Sequence, residues 1–229
     1  VGYNAGTAVT TGSNNVLIGH SSGDAITEGA NNVTLGNNTL GAVTTASNNT
    51  ALGANAGLAV TSGSQNVFVG TQAGVSQTTA ANNTIIGFNA GDAITTGGTN
   101  TVIGASSGTA ITTGANNTFL GATSGDATTT ASQNVAVGSG ALSANTTAGD
   151  NTAVGFAALA ANTTGTYNTA VGSQAGASIT GDGNYNTLVG AIAGDAITTG
   201  DDNTAVGRGA LSACTTSNQN TALGSVALE

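Results

Sequence analysis

The sequence predicts an all-β fold, a single β-solenoid of about thirteen 17-residue coils. Three observations carry this. The motif Asn-[Thr/Val]-x-[Val/Ile/Leu]-Gly recurs along the whole chain, and its glycines fall at Gly19, Gly36, Gly53 and so on to Gly224, with Gly2 in the same phase. Every step is 17 residues except Gly172 to Gly190, which is 18. Thr, Val, Ile and Ala sit at fixed phase between Asn- and Gly-rich turns, which reads as short strands joined by tight bends. Finally, the chain has no Pro, which suits a ladder in which every coil donates its N–H groups.

Composition narrows the function classes. One Arg and no Lys stand against ten acidic residues, for a net charge of −9. Phosphate binding needs clustered cations, so nucleic acid is excluded, and an anionic membrane surface with it. No run of 18 apolar residues occurs, so no membrane-inserted segment is expected here. The unbroken period makes residues 1–229 one repeat domain. The chain starts mid-repeat, without Met, and reads as a fragment of a longer protein. Leu228-Glu229 fits either the repeat or a cloning scar.

Numbering the repeat from its Gly as position 1 gives the consensus Gly-x-x-Ala-Gly-Asp-Ala-Ile-Thr-Thr-Gly-x-Asn-Asn-Thr-x-Val. Position 17 is always aliphatic and position 15 always Thr or Val. Strand side chains alternate, so 15 and 17 share a face, assigned here to the interior. Position 4 is small, as in Ala5, Ser22, Ala56 and Ala73, which suits a narrow core. Positions 5 and 8 exchange volume: Leu142 goes with Asn145, Leu159 with Asn162, and Leu211 with Cys214. Leu40 with Val43 departs from this, as do Gln77 and Thr128. Asn at position 14 and Thr at position 9 are invariant, and both should form ladders between coils. One coil cannot fold alone. Ordering costs about 1–2 kcal/mol per residue, and each buried aliphatic returns about 1.5–3 kcal/mol. At about 4.8 Å per coil, the stack would be roughly 60 Å long.

Position 16 should then face outward, yet it is often large and apolar: Leu17, Phe68, Ile85, Val102, Phe119 and Leu188. An outward apolar stripe marks a subunit interface. The other reading swaps inside and outside and makes position 16 core, since short strands are ambiguous.

The segments Asn151-Thr-Ala-Val-Gly155, Asn168-Thr-Ala-Val-Gly172 and Asn203-Thr-Ala-Val-Gly207 resemble the Asn-Ser-Val-Ala-Ile-Gly signature of YadA-type heads of trimeric autotransporter adhesins. Gly19-His-Ser-Ser-Gly23 is similar to the turn that follows it in those heads. Similar repeats occur in phage tail fibres. The resemblance implies a left-handed β-roll, a homotrimer packed side by side, and an extracellular, cell-surface or virion-fibre location. It spans the chain but rests on a short motif. This repeat is also longer than the head repeat, and no neck, stalk or anchor is present.

Chemistry is sparse. One His and one Cys, far apart, make no nucleophilic set, and zinc lacks ligands. Cys214, at position 8, reads as a small buried hydrophobe. No enzyme activity, cofactor or metal is expected. For calcium the only candidates are Asp182, Asp195, Asp201 and Asp202; the nine-residue calcium repeat is missing, and solvated turn carboxylates are the alternative. Sequons such as Asn48-Asn-Thr50 arise from the repeat itself. The expected function is a structural, adhesive fibre or head segment. It would bind a host receptor, matrix protein or glycan through the variable turn residues Tyr3, His20, Phe88, Phe156 and Arg208. The alternative is an ice- or crystal-surface binder that uses Thr ladders.

Overall fold

The computed structural model describes Val1–Glu229. It is an all-β parallel β-solenoid with about 17 residues per turn and no helix. Its coils fall into two units, Val1–Asn116 and Asn117–Glu229. The first holds β1 (Val16–Ile18), β2 (Val33–Leu35), β3 (Thr50–Leu52), β4 (Val67–Val69), β5 (Thr84–Ile86) and β6 (Thr101–Ile103). The second holds β7 (Thr118–Leu120), β8 (Val135–Val137), β9 (Thr152–Val154), β10 (Thr169–Val171), β11 (Thr187–Val189), β12 (Thr204–Val206) and β13 (Thr221–Leu223). Within each unit neighbouring strands pair parallel and in register, as in Phe68↔Ile85 and Ala170↔Leu188. The 18-residue step leaves this register intact.

The strands bury the opposite face from the one expected. Phe68, Ile85, Val102, Phe119 and Leu188 at position 16 are 0% exposed, and Leu17 is half-buried in its first coil. Positions 15 and 17 point out: Val16 is 49% exposed, Leu35 50% and Leu120 45%. Position 16 is therefore core, and its residues cannot form a subunit interface. The reason is physical. A three-residue strand flanked by apolar side chains on both faces has no polar–apolar alternation to orient it. Volume decides instead, because the glycines of position 5 face position 16. A Cβ on Gly57 would lie 2.8 Å from both Phe68 and Leu40, and one on Gly176 2.7 Å from Leu188.

This also corrects the volume exchange, which involves three positions. All four repeats with Leu at position 5 (Leu40, Leu142, Leu159, Leu211) carry Ala at position 16 (Ala51, Ala153, Ala170, Ala222). Repeats with Gly at position 5 seat Leu, Ile, Val, Phe or Thr there, except those ending in Ala136 and Ala205. Position 8 adjusts the remainder. Ile26 and Ile94 each reach to 2.9 Å of where the Cβ of Gly23 or Gly91 would be.

Two polar ladders tie the coils, as the invariant residues suggest. Each position-14 Asn accepts, through Oδ1, the backbone N–H of the Asn one coil on; Asn66 to Asn49 spans 3.0 Å and Asn151 to Asn134 3.0 Å. Its Nδ2 donates to the position-11 carbonyl of the next coil, as Asn49 does to Gly63 at 3.1 Å. The buried amides are satisfied this way, which makes a polar core row tolerable. Thr hydroxyls at position 9 donate to the Thr carbonyl one coil on, at 3.1 Å from Thr95 to Thr112 and 3.0 Å from Thr198 to Thr215. Gly at position 1 is doubly required. Gly53 has φ +127°, and a Cβ there would lie 2.6 Å from the Gly70 carbonyl oxygen.

Candidate binding surface

The exterior presents three rows that could meet a partner. The first is the outward sheet face. Along β1–β6 position 17 reads Ile18, Leu35, Leu52, Val69, Ile86 and Ile103, and along β7–β13 it reads Leu120, Val137, Val154, Val171, Val189, Val206 and Leu223. Position 15 beside it is Thr or Val throughout, and neither row carries a charge. In sequence this apolar face is masked by the large side chains of position 16 on the other side of the strand.

The second row is position 2. Tyr3, Phe88 and Phe156 are 73%, 56% and 60% exposed, and His20 and Arg208 are exposed too. The structure brings only two of these five together: the Tyr3 and His20 rings stack, with centroids 5.5 Å apart and planes at 18°. His20 Nδ1 also lies 3.3 Å from Asn37 Nδ2. Phe88, Phe156 and Arg208 stand apart, with Thr, Ala or Ser at position 2 of their neighbouring coils.

The third row, position 13, also escaped the sequence reading. Its residues all lie in the left-handed region, where Asn and Asp are favoured and bulky residues are rare. Asn occupies it at Asn14, Asn31, Asn48, Asn82 and Asn116. In the second unit, however, it runs Gln133, Asp150, Tyr167, Tyr185, Asp202, Gln219, with Tyr167 at φ +59° and Tyr185 at φ +57°. The two tyrosine rings stack at 5.1 Å with planes 3° apart. Two of the chain's three tyrosines share one phase in consecutive coils, which is the signal that would have found them. The intervening 18-residue step hides that phase.

The extra residue sits beside this pair. It adds Asp182 to the turn Gly181–Gly183, just ahead of Tyr185. The calcium candidates Asp182, Asp195, Asp201 and Asp202 are not gathered into a cluster of three or more metal-ligating side chains. Asp201 serves the backbone instead, its Oδ1 accepting the Asn184 N–H at 2.7 Å. Asn184 Oδ1 in turn accepts the Thr166 N–H at 2.8 Å, and Asn218 Oδ1 accepts the Asp201 N–H at 2.8 Å. Asp195 lies at position 6, half a coil away in sequence, in the row of Asp24, Asp92 and Asp126. Burial pushes the Asp92 and Asp126 carboxyls above the ordinary aspartate value, against the lowering pull of nearby backbone N–H groups. Cys214 is half-buried, with Sγ 3.8 Å from the Ser217 carbonyl oxygen.

No cavity opens in either unit. No helix is long and apolar enough to cross a membrane. No protein-family model, no curated protein and no solved structure matches the chain.

Proposed function

We propose that the chain is a structural, adhesive segment of an extracellular fibre or head, assembled as a homotrimer whose copies meet through the outward sheet face. One observation carries this reading: the uncharged row of position 17 aliphatics, half-buried to exposed on the outward face of a regular parallel sheet and flanked by Thr and Val. A continuous apolar row on open surface favours contact with protein. In-register repeats offer a second copy a matching surface rung by rung. The YadA-type resemblance supplies the number three and the surface location. The exposed side chains of positions 2 and 13 are left on the exterior to meet host or surface ligands. The solution mass from light scattering tests the assembly. Three times 21.4 kDa supports the trimer, and 21.4 kDa overturns it.

A second reading has its own support. The outward face presents Thr-x-aliphatic in five successive coils of the second unit: Thr152/Val154, Thr169/Val171, Thr187/Val189, Thr204/Val206 and Thr221/Leu223. A flat, uncharged, regularly spaced hydroxyl and methyl array suits an ordered water or crystal surface. The position 9 hydroxyls are less suited, because they are spent on the next coil's carbonyls. A monomer with thermal hysteresis would favour this reading over the fibre.

A further inference from the structure

We propose that the position 13 row Asp150–Tyr167–Tyr185–Asp202 binds a basic polypeptide segment, with guanidinium or ammonium groups seated on the tyrosine faces and held by the flanking carboxylates. The proposal deepens the adhesive reading by naming a partner class and a place.

Four observations point the same way. The tyrosine rings are stacked and parallel, so each turns its free face along the row, one toward the rung of Asp150 and the other toward that of Asp202. Aspartate is shorter than tyrosine, and Tyr167 and Tyr185 are 51% and 57% exposed, so each ring stays accessible beside a rung that carries a carboxylate. A cation placed there meets the ring quadrupole and a negative charge at once. Arginine suits this best, because its planar group stacks on a ring while its edge donates to a carboxylate.

Charge is the second observation. Asp150 and Asp202 are exposed, and the one Arg of the chain lies at position 2, beyond the far end of the strand. Five of the ten acidic residues fall in these coils, and four of them, Asp150, Asp182, Asp201 and Asp202, lie in the row or within three residues of it. A neutral sugar would use the rings but would gain little from that concentration of charge.

The third is preorganisation. The backbone just before each tyrosine and before Asp202 is pinned by the chain Thr166–Asn184–Asp201–Asn218 at position 12. In the row itself, the Tyr185 N–H donates to the Thr166 carbonyl at 3.2 Å and the Asp202 N–H to the Asn184 carbonyl at 3.1 Å. A row held this way loses little freedom when a partner docks.

The fourth is conformational. Tyrosine is a poor choice for a left-handed position, and here it recurs in consecutive coils where five other coils carry Asn and the rest Gln, Thr or Asp. Strain retained on an exposed row, where it serves no core packing, indicates a use for the side chain.

The test titrates the intact protein with a flexible arginine–glycine repeat peptide, and separately with neutral chitohexaose, by calorimetry at two salt concentrations. Tyr167→Asn with Tyr185→Asn is the decisive variant. It installs the residue that five other coils carry in this row, so the fold is retained and the melting temperature should not fall. The expected result is peptide binding that weakens with salt, drops roughly tenfold or more in the double tyrosine variant, and loses most of its salt dependence in Asp150→Asn/Asp202→Asn. Peptide binding that survives the tyrosine variant would show attraction to the acidic surface at large and overturn the proposal. Absence of peptide binding would also overturn it, as would tyrosine-dependent binding of chitohexaose in its place. Light scattering on the same samples separates the two claims: a monomer that binds the peptide leaves this site standing and removes the trimer.

Discussion

The repeats Leu40/Val43/Ala51 and Gly57/Val60/Phe68 stand next to each other and fill the same interior from opposite sides. In the first, the large side chain is Leu40 at position 5 and Ala51 at position 16 is small, and both are fully buried. In the second, Phe68 reaches back across to glycine, and no side chain fits at Gly57 without meeting it. The interior volume is the same quantity divided two ways. What the repeat preserves is the sum over positions 5, 8 and 16, while any one of them varies from Gly or Ala to Leu or Phe. The ladder positions differ. Their partner is the same residue one coil away, so no other position can compensate, and Gly 1, Thr 9 and Asn 14 do not vary.

This contrast can be broken most severely at a ladder position. Gly53→Ala forces a side chain into φ +127° and against the Gly70 carbonyl. It should abolish cooperative thermal unfolding of Val1–Asn116, followed by circular dichroism. Next in size is Phe68→Ala, expected to cost about 3–5 kcal/mol in chemical denaturation. Gly57→Leu alone should cost about 1–3 kcal/mol by overpacking. Together they rebuild the Leu/Val/Ala set of the preceding repeat. The double variant should therefore recover stability, with a coupling of about 0.5–3 kcal/mol. Strict additivity would refute the shared volume.

A smaller effect separates two polar residues at position 8. Asn162 is bonded both ways to Gly165, whereas Asn145 donates to Ala148 but has a buried Oδ1 without a partner. Asn162→Val orphans the Gly165 N–H and should cost about 1–3 kcal/mol. Asn145→Val removes a buried orphan, so it should be neutral or stabilising in the same denaturation assay.

The smallest effect is electrostatic. Because burial raises the Asp92 carboxyl, the folded chain binds that proton more tightly than the unfolded chain does. Its favourable contribution is complete below the ordinary value of 3.8 and disappears as pH rises through the raised folded value. Asp92→Asn should therefore melt higher than the parent at pH 7 and show no advantage near pH 3. The reverse order would contradict the desolvation account.

The sequence was legible wherever a residue's partner is its own copy. The period, the Gly bend, the Asn row and the Thr row could all be read directly, because identical neighbours impose identity. Inside and outside were not legible. Leu, Val, Ile and Phe occupy adjacent strand positions, and three residues are too few for alternation to orient them. Position 16 consequently reads as an interface in the sequence alone, although Phe68 and Phe119 are core. The position 2 aromatics were visible as deviations from a turn consensus, but their sequence did not reveal that only Tyr3 and His20 touch. Tyr167 and Tyr185 were hidden by the added residue between them, and their pairing depends on a register that only the coordinates display.

The most direct test places a charge on neighbouring residues of one strand pair. Val69→Asp with Ile86→Asp alters only the outward face, and Ile85→Asp alters only the interior. The account predicts that the outward double variant keeps the parent's circular dichroism while its mass by light scattering falls from three times 21.4 kDa to 21.4 kDa. Ile85→Asp should instead unfold its coils. An outward variant that remains a trimer, or a parent that is already monomeric, would contradict the claim that copies meet on this face.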